Sequence, residues 1–379
     1  MKMSFNSFIT WSVLLFWSLL PSSIHAADPV KIAAIFSKTG PAVVVPGLRP
    51  EFSAIQLAVK ELNDAGGLLG HPIEVLEFDN QSTALGAKQA ALEAIKAKVI
   101  AVIGATRSSH ALGMAPALQD SGIPMLSPSS TNPQVTLVGD CIFRVCFIDD
   151  FQGEVMATFA LKELQAKTAV VLTNTSEKFS LSLAGVFIEK FKKLGGKILW
   201  EGDYLGDAVN FEEQLGKLKE LKPDVCFVPG YDTDTGFIVK QSRELGIESI
   251  FLSGDGLTQD LYKYAGTAAA GTYFLKHWHQ EDLDPKSRQF VQAYEQEYSK
   301  MPDAVTALSY DAVLILADAV KRANSIEPQN IRSALAETQG FKGVSGDITF
   351  DENRNPVNKS AVIVKFEKDT WVYVKTITP

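Results

Sequence analysis

Residues Val99–Pro133 read VIAVIGATRSSHALGMAPALQDSGIPMLSPSSTNP, two apolar runs each followed by a hydroxyl-rich turn. Val99–Ile103 is a short β-branched run suited to a buried parallel strand, and Gly104 ends it. The turn Ala105–Ser109 then brings two serines to the start of a helix, where side-chain hydroxyls and unsatisfied backbone N–H groups face the same space. Such a turn suits an anion. Pro116 predicts an interrupted helix, with a first turn near Ser109 and a restart that has Pro116 at its first position. Ile123–Leu126 is the next strand, and Ser127–Pro133 forms a second hydroxyl-rich turn at its carboxyl end. Strand, helix and strand make a β–α–β unit whose two polar turns meet at one sheet edge, the place where open α/β sheets hold ligands. Helix capping and a Pro/Ser loop explain the same residues without a ligand.

The alternation extends to both sides. Strands are expected at 30–36, 73–78, 99–103, 123–126 and 142–146, and helices at 49–64, 83–96 and 109–120. A second series follows, with helices at 151–165, 180–194, 211–221 and 235–245 and strands at 168–172, 197–201, 224–228 and 249–252. Strand–helix alternation implies doubly wound parallel sheets, so the fold class is α/β with two lobes of one design. Two amphipathic helices, about 285–299 and 304–323, come after a polar stretch at Lys276–Asp282, and the chain ends with a strand at 361–366 and a short hairpin.

Composition narrows the class. Met1-Lys2, an apolar run from Phe8 to Leu20 and then Ser23–Ala27 predict a secretory signal over 1–26, cut after Ala26. The run is too short to span a membrane well, and no later segment reaches the roughly 18–20 apolar residues a span requires. Without residues 1–26 the chain carries 35 Lys and Arg against 44 Asp and Glu, a net charge of −9. An acidic, well-mixed surface argues against nucleic acid, which is bound through clustered Lys and Arg. About 353 residues are many for a single core, so two domains are expected. Cys141, Cys146 and Cys226 form an odd set; the first two, five apart in one apparent strand, point to opposite faces, so free buried thiols are expected.

Enzyme signatures are absent. Lys38-Thr39-Gly40 has no S-x-x-K partner, and no G-x-S-x-G elbow, H-E-x-x-H or phosphate-binding loop occurs. His277, His279 and Glu281 share one face of an extended strand, a pattern open to a metal but equally that of a polar hinge strand. No enzyme, cofactor or metal site is expected.

Several short motifs, in order, carry a resemblance. They are Lys31–Pro41 (KIAAIFSKTGP), Asn63–Gly70 (NDAGGLLG), Phe78-Asp79-Asn80 and the two serine-rich turns. Pro229-Gly230-Tyr231, Gly254-Asp255-Gly256 and Ser345-Gly346-Asp347 with Phe350-Asp351 follow. By these the chain resembles the Leu/Ile/Val-binding protein family, the periplasmic solute-binding components of ABC transporters, over nearly its whole mature length. The resemblance implies a type I periplasmic binding fold, with one lobe from 27–147 plus 278–347 and the other from 148–277 plus 348–379. Three crossings, near 147–150, 275–279 and 345–349, would form a hinge that closes over a ligand.

It also implies a site. Ser108 would give hydroxyl and backbone donors to a ligand carboxylate, Ser129 a backbone carbonyl and Thr131 a hydroxyl. Tyr231 would line the cleft, and Asp255 would pair with an α-ammonium. Neutral donors on one lobe and an acid on the other suit a zwitterion. The chain departs from the family at three places. Phe179 replaces a tyrosine, the loop Val43–Gly47 lacks an aromatic lid residue, and Arg107 replaces a small or apolar residue. Arg107 has three options: to fill the pocket, to meet a second ligand carboxylate, or to turn into solvent. The expected function is capture of a small amino acid, branched-chain or similar, by a monomer that delivers it to ABC permease subunits. An aromatic or aliphatic carboxylate, an amide, or a sensory role on the same fold are the alternatives.

Overall fold

The computed structural model describes residues 1, 27–41, 49–206, 208–281 and 284–379. The expected signal segment lies outside the described residues, apart from Met1. The first sheet is built from β1 (Val30–Phe36), β2 (Ile73–Asp79), β3 (Ala101–Gly104), β4 (Met125–Ser127) and β5 (Ile142–Arg144). Their order is β2-β1-β3-β4-β5, all parallel. Then come β6 (Thr168–Asn174), β7 (Lys197–Tyr204), β8 (Val225–Phe227), β9 (Ile250–Leu252) and β10 (Tyr273–Lys276). β11 (Phe341–Gly343) and β12 (Gly346–Ile348) form a small antiparallel pair, and β13 (Ala361–Glu367) and β14 (Thr370–Ile377) close the chain. The second sheet runs β14-β13-β10-β9-β8-β6-β7, with β13 antiparallel to both of its neighbours and the other pairs parallel.

Both sheets contain one pattern. Numbered within its own lobe, β7-β6-β8-β9-β10 repeats the order 2-1-3-4-5 of the first sheet, so each lobe has a switch point beside its first strand. Each sheet is covered on both faces. Ile32, Ala34 and Phe36 of β1 pack with the helices Pro50–Asp64 and Ala304–Ala323, whereas Ala33 and Ile35 pack with Ala84–Lys96 and Ser108–Asp120. Likewise Ala169 and Val171 of β6 meet one core, Val170 and Leu172 the other. Burial on both faces is why these strands read as unbroken apolar runs instead of alternating.

Two expectations are corrected. Pro116 does not split its helix, which runs unbroken over Ser108–Asp120. Ala111, Met114, Ala115 and Leu118 are fully buried on the sheet, and that packing offsets the roughly 3 kcal/mol a mid-helix proline costs. The third crossing is later than 345–349. Phe350 packs on Phe143 with ring centroids 5.4 Å apart, and Arg354 donates to the carbonyls of Ile142 (3.1 Å) and Thr136 (2.8 Å). Residues 350–355 therefore sit on the first lobe, and the chain passes to β13 over 357–360. The helices Pro285–Tyr298 and Ala304–Ala323 pack on the first sheet, with Trp278 in the same core. Cys141, Cys146 and Cys226 are buried free thiols. Burial pushes Cys141 up to about 11 and Cys146 up to about 12, which makes both inert.

Candidate functional site

The two switch points face each other, and between them lies a cavity of about 230 Å³. Drug-sized ligands occupy roughly 300–1,000 Å³, so this one suits something smaller. From the first lobe it takes Ser37 after β1, Thr106–Ser108 after β3, and Ser129 and Thr131 after β4. From the second it takes Phe179, Tyr231, Asp255 and Gly256. All seven residues expected at the site line it.

The two serine-rich turns are knitted together before any ligand is considered. Ser127 and Ser130 both donate their hydroxyls to the Ala105 carbonyl at 2.8 Å, and Ser129 Oγ donates to the Thr106 carbonyl at 3.3 Å. Ser108 Oγ accepts from Asn132 N at 3.2 Å. Its hydroxyl proton is left for a ligand acceptor. Ser108 is the first helical residue, beside the unsatisfied N–H groups of the first turn, with no side-chain cap from Arg107. Thr131 Oγ1 is buried without a hydrogen-bond partner of normal geometry.

Arg144, absent from the sequence-based set, holds the second turn from behind. It is fully buried and donates to the carbonyls of Ser130 (2.6 Å) and Asn132 (2.9 Å) and to Thr136 Oγ1 (3.2 Å). Its one sequence signal is a lone charge inside the apolar run Cys141–Cys146.

On the second lobe Asp255 stands between Gly254 and Gly256, and at Gly256 the backbone leaves no room for a side chain. A Cβ on Gly256 would lie 2.5 Å from the Gly230 carbonyl oxygen, and one on Gly254 would lie 2.8 Å from Gln152 Oε1. Asp255 N donates to Gln152 Oε1 at 3.1 Å, and Asp255 Oδ2 accepts from His277 Nε2 at 2.8 Å. Asp255 Oδ1 is buried and has no partner. The carboxylate is thus held by one oxygen, and Asp255 lines the cavity with its other oxygen left without a hydrogen-bond partner. Behind it Gln152 Nε2 donates to Asp149 Oδ1 at 2.8 Å, and Asp149 N donates to the Thr131 carbonyl at 3.0 Å. Burial pushes the Asp149 carboxyl up to about 7.

Arg107 takes none of its three options outright. It lines the cavity, yet its guanidinium pairs with Glu177 of the other lobe at 3.1 Å and lies 3.8 Å over the Tyr231 ring. Ser109 Oγ donates to the second oxygen of Glu177 at 2.7 Å and accepts from Lys178 N at 3.1 Å, while Asn132 Nδ2 donates to the Lys178 carbonyl at 2.8 Å. These contacts cross the mouth of the cleft, so the lobes stand closed. Phe179 packs against Tyr231 with ring centroids 5.5 Å apart and offers no polar group. Glu51, which the sequence also left unmarked, lines the far side, and burial pushes it up to about 7. The loop Val43–Gly47 lies outside the described residues. His277 turns to Asp255 and His279 to the rings of Trp371 and Tyr373, at 5.1 and 5.6 Å, so they do not share an ion. Among the described residues no group of His, Cys, Asp and Glu is placed to hold a metal.

Comparison with known proteins places the fold among solute-binding proteins of transporters. The chain is 32% identical over 318 residues to the Leu/Ile/Val-binding protein homolog 1 of Brucella abortus, covering 83% of this chain and 84% of that one. The leucine binding protein LivK of Thermotoga maritima superposes with a TM-score of 0.86 at 35% identity, over 92% of this chain and 99% of that one. LivJ of Streptococcus pneumoniae, a branched-chain amino acid transporter substrate binding protein solved with isoleucine, gives 0.86 at 30% identity, over 93% and 100%. The sequence profile described as periplasmic binding protein matches residues 29–370, and to that family this chain belongs.

Proposed function

We propose that the chain is the substrate-binding component of an ABC importer and takes a small branched-chain α-amino acid, leucine being the reference ligand, into the cleft between its lobes. One observation carries the reading: Asp255, whose Oδ1 is buried and unpartnered, lines the same cavity as the hydroxyl-bearing Ser108, Ser129 and Thr131 of the other lobe. A buried acceptor in that state costs about 1–3 kcal/mol unless a donor meets it, and an ammonium is such a donor. In this reading Ser108 and Thr131 hold the ligand carboxylate, the Ser129 carbonyl adds an acceptor, and Phe179 and Tyr231 cover the aliphatic part. Arg107 closes the mouth, its charge engaged by Glu177, which weighs against a plain carboxylate as ligand. The protein binds without catalysis, works as a monomer in the periplasm after losing residues 1–26, and hands its ligand to permease subunits. Among the described residues no helix is long and apolar enough to cross a membrane.

Two experiments test this. In a thermal-shift screen, leucine at a hundred times its Kd raises stability by about 2.7 kcal/mol; no response to any aliphatic amino acid removes the reading. Solution scattering should then show a smaller radius of gyration with leucine than without it, since hinge closure brings the lobes together. An equal radius at saturation counts against closure.

Substitution separates ligand contact from helix capping. Ser108→Ala and Thr131→Ala should each weaken leucine binding by roughly 1–3 kcal/mol, because each removes a donor to a buried charged acceptor. The melting point of the ligand-free protein should fall less. A larger loss of stability than of affinity would assign both hydroxyls to the fold.

A further inference from the structure

Asp255 is held by two side chains that stand on two different crossings between the lobes. His277 follows β10 on the second crossing, and Gln152 lies in the first turn of the helix Asp149–Lys162, which begins where the first crossing ends. Gln152 fixes the backbone of Asp255 through its N–H, and His277 fixes the carboxylate through Oδ2. All three are deep in the protein, with the His277 and Asp255 side chains 2% and 7% exposed. The Phe147 ring lies 3.8 Å from the His277 ring and limits its rotation.

A carboxylate only accepts hydrogen bonds, so Nε2 is the protonated nitrogen of His277. Nδ1 is then an acceptor, and it is buried with no partner. Burial holds His277 below the ordinary histidine range, with Lys359 and Lys276 acting in the same sense against the pull of Asp255. A neutral imidazole orients the carboxylate without cancelling the charge that an ammonium needs.

We propose that His277 is the positioning residue for ammonium recognition: from the hinge strand, its Nε2–H holds Asp255 so that Oδ1 faces the cleft. This rests on the amino-acid reading above. The same bond ties charge recognition to the crossing, so Asp255 is correctly aimed only when the hinge strand is in place.

The test uses the full mature protein and two probes, leucine and 4-methylpentanoate, which is leucine without its amino group. The quantity read is the ratio of their Kd values, a measure that general loosening of the cleft does not move because both ligands then suffer alike. His277→Gln places an amide donor near the position of Nε2, whereas His277→Asn is equally polar but places its donor near Nδ1, short of the carboxylate. Calorimetry should give the Gln variant a ratio within about threefold of wild type and the Asn variant one about tenfold or more smaller, the loss expected for a hydrogen bond to a charged group. Equal ratios in the two variants, whether both kept or both lost, overturn the proposal and leave His277 a packing residue. A wild-type ratio near one overturns the amino-acid reading itself, and the proposal with it.

Discussion

Asp255→Asn should lose leucine binding by roughly 3–5 kcal/mol, or about a hundred- to several-thousand-fold in Kd. The substitution keeps the side-chain shape and an oxygen that can still accept from His277, so the fold of the Gly254–Gly256 turn is preserved. What disappears is the charge opposite the ligand ammonium. In a cavity closed on both sides, that ammonium is left uncompensated, and the cost of burying it falls on the complex alone. Isothermal titration of the variant with leucine reads the loss, and its melting point in the absence of ligand should change little. Unimpaired leucine binding by Asp255→Asn would sink the assignment and require the ammonium to be met elsewhere.

Arg144→Met should be the most damaging single change away from the ligand, with about 3–5 kcal/mol lost from the stability of the free protein. The guanidinium reaches four acceptors, the carbonyls of Ser130 (2.6 Å), Asn132 (2.9 Å) and Pro133 (3.4 Å) and Thr136 Oγ1 (3.2 Å), of which the Asn132 carbonyl keeps the Val135 N–H at 3.1 Å when the side chain is removed. Each buried acceptor left unsatisfied costs about 1–3 kcal/mol. Removing the buried charge itself returns part of that sum, since an ion in the interior carries a desolvation penalty. Because the carbonyls it holds belong to the turn carrying Ser129 and Thr131, leucine affinity should fall as well. Urea unfolding measures the first effect and titration the second. Arg144→Lys should recover part of both, because an ammonium is a point donor without the planar fork that spans two carbonyls. A loss under about 1 kcal/mol for Arg144→Met, the size of an ordinary substitution, would mean that the turn keeps its shape without the guanidinium.

Local periodicity made most of the architecture legible. The inner strands of both lobes are apolar runs because both sheet faces are covered, so most elements could be read from their own residues, whereas β10 and the helix Pro328–Ala336 were not expected. The repeat of the order 2-1-3-4-5 could not be read that way, since strand order is a matter of which distant runs pair. Pro116 misled for a related reason: its local cost is real, and the burial that overrides it belongs to the sheet underneath. The third crossing lies later than local sequence implies because the contacts of Phe350 and Arg354 are with residues about two hundred positions away.

The site divides in the same way. Ser108, Ser129, Thr131, Tyr231 and Asp255 stand in turns with recognisable composition, and the family resemblance selected among them. Arg107 could be singled out but not resolved, because its outcome depends on Glu177, seventy residues away on the other lobe. Arg144 and His277 were missed as site residues. One is hidden in an apolar strand, and the other sits in a polar stretch whose alternation suggested a metal or a plain hinge; each acts through a partner visible only after folding.

In the proposed function the cleft recognises both charges of an α-amino acid. Titrating the wild-type protein with leucine and, separately, with 4-methylpentanoate tests it most directly, because the two ligands share the carboxylate and the aliphatic chain and differ in the ammonium alone. Leucine should bind at least about a hundredfold more tightly, the lower bound for one buried ion-pair partner. Equal or tighter binding of 4-methylpentanoate would contradict it.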